Sequence, residues 1–433
     1  MRTTIEGLIG FILTKKFFMI SEKLKYLIAY YFVLAPLIGF ILVSTIDVAY
    51  YNVLVFILII GVISQVLRKG KDFHFPLYAF FLLLFIIYSI LSDIFLAEKE
   101  ISIGYFYLNK VISTLFLLLY IENVNYISSR FIGKYIKLII VILVVAVIVI
   151  LIQQTFDSSF FINSINKDHI VEHGRLLSIY SWISPLEIGF GFVAMLGSII
   201  SIFYMKNKKN STTMVLFILG AIFTFLTRWR WTMLNFLILI FQILKYRKFA
   251  LRRVIVTVFI GVISIFLAFQ ILISLDVPVK QIVDARILEK NEGGLGKGSS
   301  ATRVYAFVIF KELFPENPLF GKGKIHTFGG KSKDSELQSL LKGKTSQIHI
   351  GYLSILYYYG IFGSFFYFGF LYLFLKKLRR EAKQNKFWGA YFAVFGFLVA
   401  NFTLVSVSLF FSGIAASLVF NNYYTYRSRL VNK

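Results

Sequence analysis

Cysteine is absent from the 433 residues, which excludes disulfide bridges, thiolate zinc sites and a cysteine nucleophile together. Acidic residues are scarce: 21 Asp and Glu stand against 46 Lys and Arg, a formal net charge of +25. Polar side chains are too few to cover a water-soluble surface on a chain this long, since 58% of residues are hydrophobic and the mean hydropathy is +0.77. In a soluble protein such a basic balance would point to nucleic acid. Here the positive charge sits in short clusters between apolar runs, where it sets membrane topology and meets anionic headgroups, so nucleic acid is not expected as a partner.

What is present is a succession of apolar runs, each near the roughly 20 residues a helix needs to cross the hydrocarbon layer. They fall near 24–45, 49–67, 74–96, 101–121, 135–156, 177–204, 211–227, 231–245, 254–275, 348–375, 387–403 and 405–422. This pattern predicts an all-α polytopic integral membrane protein with about twelve transmembrane helices. The close pair around 227–231 admits a re-entrant turn as well as two spans, and residues 5–20 read as an interfacial segment. No small-residue cleavage site follows Lys15 and Lys16, so this start is expected to be retained.

The connections then separate by charge. One set carries Lys15, Lys16, Lys23 and Lys25, then Arg68, Lys69 and Lys71, then Arg130, Lys134 and Lys137, then Lys206, Lys208 and Lys209. The same set continues with Lys245 to Arg253, with Lys376 to Lys386, and with Arg427, Arg429 and Lys433. These connections should be cytoplasmic, with both termini inside. Facing outward are the turns at Asp47 and at Glu98 and Glu100, a loop over 157–175, and the long segment 276–347. The chain therefore divides into helices one to nine (1–275), a large extracytoplasmic loop (276–347), and three last helices with a cytoplasmic tail (348–433).

A connection of that length is more often functional than structural. Residues 291–300 (NEGGLGKGSS) have the composition of a flexible connector. Residues 301–314 (ATRVYAFVIFKELF) space Val304, Phe307, Val308 and Leu313 as on an amphipathic helix, stopped at Pro315. Next comes Asn317-Pro318-Leu319-Phe320-Gly321-Lys322-Gly323, and after a lysine-rich stretch His349, Tyr352-Leu353 and Tyr359-Gly360-Ile361-Phe362-Gly363. With Arg303 opening the loop helix, this ordered pattern resembles the bacterial O-antigen polymerase and O-antigen ligase families over about 60 residues. Weaker echoes lie at 227–230 and 175–185, where Trp229 replaces an expected serine and Leu186 an asparagine.

The resemblance implies a GT-C-like glycosyltransferase architecture in a bacterial inner membrane. It implies a metal-independent enzyme without a cofactor, whose donor and acceptor glycans ride on undecaprenyl pyrophosphate. Membrane lipids and a chain-length regulator are its implied partners. The expected reaction joins oligosaccharide repeat units as an O-antigen or capsule polymerase. The rivals are a ligase that passes the glycan to another lipid, and a polysaccharide flippase or secondary transporter. A pyrophosphate leaving group calls for fixed guanidinium forks, which makes Arg303, Arg230 and Arg175 its candidates, with Tyr352 beside them on the substrate. The attacking hydroxyl calls for a base near neutral pKa, which points to His349, with Glu187 a second base or a partner for an arginine. Each has a structural alternative: arginines at helix ends snorkel to lipid phosphate, an interfacial histidine caps a helix, and an intramembrane carboxylate such as Glu187 or a cation such as Lys110 forms a structural pair.

Three other patterns carry less weight. His169-Ile170-Val171-Glu172-His173 has the spacing of inverted zinc peptidases, but a short polar loop offers neither a helix scaffold nor a third ligand. Gly343-Lys344-Thr345 lacks the first glycine of a phosphate-binding loop, Gln338 standing in its place, and Asp334-Ser335-Glu336 lies in a lysine-rich tract that reads as solvated surface. The aromatic share of 18% reads mainly as lipid-facing and interfacial filler.

Overall fold

The computed structural model describes residues 2–45, 50–95, 104–163, 175–206, 210–246, 251–274, 277, 306–307, 310–323, 350–402, 408–409 and 411–431. Among these residues there is no strand, and the chain is an all-helical, multi-pass membrane protein. The helices are α1 (Arg2–Thr45), α2 (Tyr50–Lys69), α3 (Leu77–Phe95), α4 (Gly104–Asn123), α5 (Ser129–Thr155), α6 (Ala194–Met205), α7 (Asn210–Thr227), α8 (Arg230–Tyr246), α9 (Leu251–Ser274), α10 (Gly351–Asn385), α11 (Gly389–Ala400) and α12 (Ser412–Val431). Among the described residues, five stretches are long and apolar enough to cross a membrane: Lys23–Thr45, Asn52–Asp72, Ser129–Thr155, Ile188–Met205 and Gly351–Asn385. Others, such as Ser211–Thr227 and Gly389–Ala400, are apolar but shorter.

Two expected spans and the expected interfacial segment take a different form. The run at 177–204 is not one helix: a 3₁₀ turn (Ser178–Trp182) leads through Pro185 into a π-helix (Ile188–Val193) and only then into α6. Proline cannot donate to the helical ladder, and the wide π turn carries two glycines, so the broken form follows from the sequence once neighbours press against it. The last span begins at Ser412 rather than near 405, for a reason given below. Residues 5–20 continue in backbone helix into the rest of α1, with no break where an interfacial segment would end.

Ile188–Met205 forms the centre, with 83% of its window buried against 33–50% for the other four long spans. Its packing depends on small residues, because lipid gives helices no hydrophobic reason to associate and close backbone approach must do so. A Cβ on Gly413 of α12 would lie 2.1 Å from the Gly191 carbonyl oxygen, so only glycine allows this crossing. The hydroxyls of Ser198 and Ser417 meet at 2.7 Å one step along, and Gln242 of α8 donates to the Gly197 carbonyl at 2.8 Å. Aromatic residues take a larger share of the interior than expected: Tyr120, Tyr126, Tyr135, Tyr180, Phe190 and Phe192 are fully buried, while Phe56, Phe259 and Phe365 are over 60% exposed on the outer surface. Large rings fill the gaps between helices that small residues leave open.

Residues that the charge pattern assigns to one side meet each other. On the basic face the Lys25 ammonium donates to the Asn125 carbonyl at 3.1 Å, and Lys245 lies 4.9 Å from the Trp388 ring centre. On the opposite face Phe40 packs on Trp182 at 4.9 Å between ring centres, and the Gly351 amide donates to the Asn401 carbonyl at 2.9 Å.

Candidate functional site

The two halves of the loop motif meet on the opposite face. α10 breaks at Gly360, whose φ of 62° and ψ of −171° lie in a region that only glycine occupies readily. The break is a sharp fold-back. In a straight helix Tyr352 and Phe368 would be about 24 Å apart along the axis, yet their ring centres are 5.8 Å apart. A helix broken in this way leaves carbonyls of one arm and amides of the other without partners, a heavy cost away from water.

The segment 318–323 supplies those partners. The Lys322 amide donates to the Tyr357 carbonyl at 3.2 Å and the Gly323 amide to the Tyr358 carbonyl at 2.9 Å. In return the Ile361 amide donates to the Pro318 carbonyl at 2.8 Å and the Phe362 amide to the Leu319 carbonyl at 3.0 Å. Tyr88 of α3 fixes the same strip through its hydroxyl, which donates to the Phe320 carbonyl at 2.7 Å. The backbones come so close that a Cβ on Gly321 would sit 2.4 Å from the Tyr358 carbonyl oxygen, and one on Gly360 2.3 Å from that of Leu319. Gly321 also has a positive φ of 77°. Just before the strip, the chain is helical over 306–307 and 310–313, Ala306 and Leu313 are buried and Phe307 is 60% exposed. It ends in a 3₁₀ turn at Phe314–Glu316 containing Pro315, and Lys322 pairs with Glu316. The proline stop is as expected, whereas Phe307, expected on one apolar side with Leu313, is exposed while Leu313 is buried.

The second assembly is the α7–α8 turn. Only Arg228 and Trp229 separate the two helices, and Arg228 takes a left-handed φ of 57°, uncommon for a non-glycine residue and a marker of local strain. Its guanidinium donates to the Gln154 side chain of α5 at 2.8 Å. The Arg175 guanidinium lies 4.4 Å from the Trp229 ring centre, a cation–π contact that holds the charge on a flat apolar platform. Arg230 opens α8 directly after Trp229. Neighbouring Gln153 ties down the chain on either side of Arg175: it donates to the Phe160 carbonyl at 2.7 Å and accepts from the Ser178 amide at 2.9 Å. Below, Trp229 packs on Trp231, Trp231 stacks on Phe190 of the π-helix at 5.4 Å, and Phe190 meets Phe411 at 4.7 Å.

That aromatic path ends at Glu187, which is fully buried. Its carboxylate accepts from the Ser412 amide at 3.0 and 3.1 Å and from the Ser412 hydroxyl at 2.6 Å. A carboxylate on the first amide of α12 satisfies an otherwise orphaned donor and faces the positive end of the helix dipole, which is why α12 starts here. Gly191 makes the space, since a Cβ there would lie 2.7 Å from the Glu187 carboxylate.

Of the six residues singled out in the sequence, Arg175 lies on the Trp229 ring, Arg230 follows Trp229 in the chain, Glu187 is buried against Ser412, and Tyr352 stands on the first arm of α10, where its hydroxyl donates to the Leu398 carbonyl of α11. Arg303 and His349 lie outside the described residues, as do His169, Glu172, His173, residues 334–336 and 343–345, and the Lys110 side chain. No group of three or more His, Asp or Glu able to hold a metal occurs among the described residues. Sequence reasoning passed over Arg228 and Ser412. The crowded Thr227-Arg228-Trp229-Arg230-Trp231 was a signal for the first, whereas nothing in Ser412's own surroundings announced the second.

Residues 213–368 are similar to the family model described as O-antigen ligase, in line with the resemblance seen in the sequence. The matched stretch runs from α7 through the Trp229 turn and the 318–323 strip to the second arm of α10. No curated protein matches the chain.

Proposed function

We propose that the protein is a polysaccharide polymerase that joins oligosaccharide repeat units carried on polyprenyl pyrophosphate at the outer face of the inner membrane, the basic face being cytoplasmic. An acceptor hydroxyl attacks the anomeric carbon of the donor glycan. The new carbon–oxygen bond forms as the bond to pyrophosphate breaks, the lipid pyrophosphate leaves with the electron pair, and the hydroxyl proton passes to His349. Arg175, Arg230 and Arg303 hold the leaving pyrophosphate, because guanidinium groups remain charged and their forks match phosphate oxygens. Tyr352 lines the glycan side. Glu187 acts as a positioning residue, since Ser412 already engages both carboxylate oxygens and ties α12 to the floor of the site.

The observation that carries this reading is the backbone seam between 318–323 and 357–362. It anchors the chain on either side of the loop's gap, with Arg303 three residues before buried Ala306 and His349 next to buried Ile350 in sequence. A scaffold this closely held on the face bearing Arg175 and Trp229 suits a headgroup site better than a transport path. The family description favours a second reading, a ligase that delivers the glycan to a different lipid.

Incubating the purified protein with a lipid-pyrophosphate oligosaccharide separates the readings. A ladder on the same carrier is expected. Single transfer to a second lipid would make it a ligase, and unreacted donor in the presence of folded protein would overturn both. Arg303→Ala and His349→Ala should each abolish elongation without loss of membrane insertion, and Arg175→Ala should slow it about a hundredfold, as loss of one fixed donor at a developing charge does.

A further inference from the structure

On the basic face, remote from the assemblies above, a cavity of about 520 Å³ opens between the ends of α2, α4, α10 and α12. Lys69, His74, Lys377, Arg380 and Arg429 line it, with Glu122 and Glu381 as the carboxylates. Those two carboxylates are already engaged. Glu122 pairs with Lys377 and accepts from the Tyr78 hydroxyl at 2.8 Å; Glu381 lies 3.4 Å from Lys377 and accepts from the Asn421 amide at 2.7 Å. Lys377 is therefore spent inside the wall. Arg380 and Arg429 are exposed at the mouth, and neither has a carboxylate partner among the described residues. Lys69 donates to the neutral Asn123 side chain at 3.5 Å.

We propose that this cavity binds the phosphate of one anionic phospholipid headgroup. The chemistry favours a phosphodiester: Arg380 and Arg429 offer planar forks, Lys69 adds a point charge, and the wall supplies neutral donors from Asn125 and Tyr426. The location favours a lipid over a soluble anion. Leu430 lines the cavity at 55% exposure, and Leu67 and Leu77, both at least 60% exposed, lie two residues before the lining Lys69 and three after the lining His74 in the chain, which supplies apolar side chains for acyl tails next to the charged groups. The paired Glu122–Lys377–Glu381 wall has a use in this arrangement. It keeps the carboxylates from competing for the arginines, and it joins α4 to α10 so that the mouth keeps its width.

The test uses the full chain in zwitterionic detergent and counts bound phosphatidylglycerol by native mass spectrometry, with phosphatidylcholine and inorganic phosphate as separate probes. One phosphatidylglycerol per chain is expected to persist at concentrations where phosphatidylcholine does not. The double variant Arg380→Gln/Arg429→Gln should weaken that binding about thirtyfold, from the usual attraction of two basic side chains to an anionic headgroup. The double variant Arg379→Gln/Arg427→Gln removes the same charge from neighbouring positions that do not line the cavity and should leave binding within about threefold of the parent. Equal loss in both variants would reduce the effect to overall charge and overturn the site. Equal retention of phosphatidylcholine would overturn the anionic specificity, and displacement of the lipid by inorganic phosphate alone would make the ligand a soluble anion.

Discussion

The two ends of α10 are held by opposite means. At the Gly360 end the helix is cut, and a foreign strip of backbone satisfies the cut through four amide–carbonyl bonds. At the Lys377 end the helix is unbroken, and side chains fasten it to α4 and α12 through Glu122, Glu381 and Asn421. Backbone pairing fixes position tightly but needs glycine, because any Cβ occupies the space through which the chains approach. A side-chain network tolerates more backbone variety but fails when one charge loses its partner. The first suits a surface that must hold a reacting loop in register, and the second suits a scaffold.

The contrast breaks most sharply at Gly360. Gly360→Ala imposes both a forbidden conformation and a clash with the Leu319 carbonyl, so it should cost upwards of about 3 kcal/mol and release the strip. Thermal unfolding together with proteolysis near residue 320 would register this, and an alanine variant as stable as the parent would refute the seam. Lys377→Ala strands two poorly exposed carboxylates and should cost about 3 kcal/mol, with a large coupling to Glu122→Gln in a double-mutant cycle; additive effects would show that the pair is incidental. Glu187→Ala leaves the Ser412 amide and hydroxyl without their acceptor, for about 2 kcal/mol, and Glu187→Gln should recover part of it. If the Gln variant folds fully yet cannot elongate, Glu187 is a base after all. Smallest is Tyr352→Phe, which loses one hydroxyl contact to the Leu398 carbonyl and should shift stability by about 1 kcal/mol or less while leaving the ring pairing with Phe402 intact.

Much of the helical layout was legible in the chain. The expected runs from 24–45 to 387–403 all contain helix, and Lys25 and Asn125, from two connections read as lying on the same side, are in contact. Hydropathy could not see the fold-back at Gly360 or the split at Pro185, because apolar content is the same whether a span is straight or broken. It also began the last span too early: within the apolar run 405–411 (VSVSLFF) the described residues 408, 409 and 411 are not helical, and α12 begins where Glu187 supplies a cap. Within the site, the motif halves around Gly321 and Gly360 were visible as patterns, and their mutual pairing was not. Trp229 looked like a departure from the expected serine, whereas in space it is the platform beneath Arg175.

The sequence by itself determined where the chain is apolar, which connections are basic and which residue types are available to bind an anionic headgroup, since each is a property of single residues or short windows. The tertiary structure alone decided that Arg175 lies over Trp229, that Glu187 caps a helix 225 residues away and that one glycine strip closes the break beside another. Those contacts depend on backbones approaching to within a few ångströms across large sequence separations, and no local pattern records which distant segment will fill a gap.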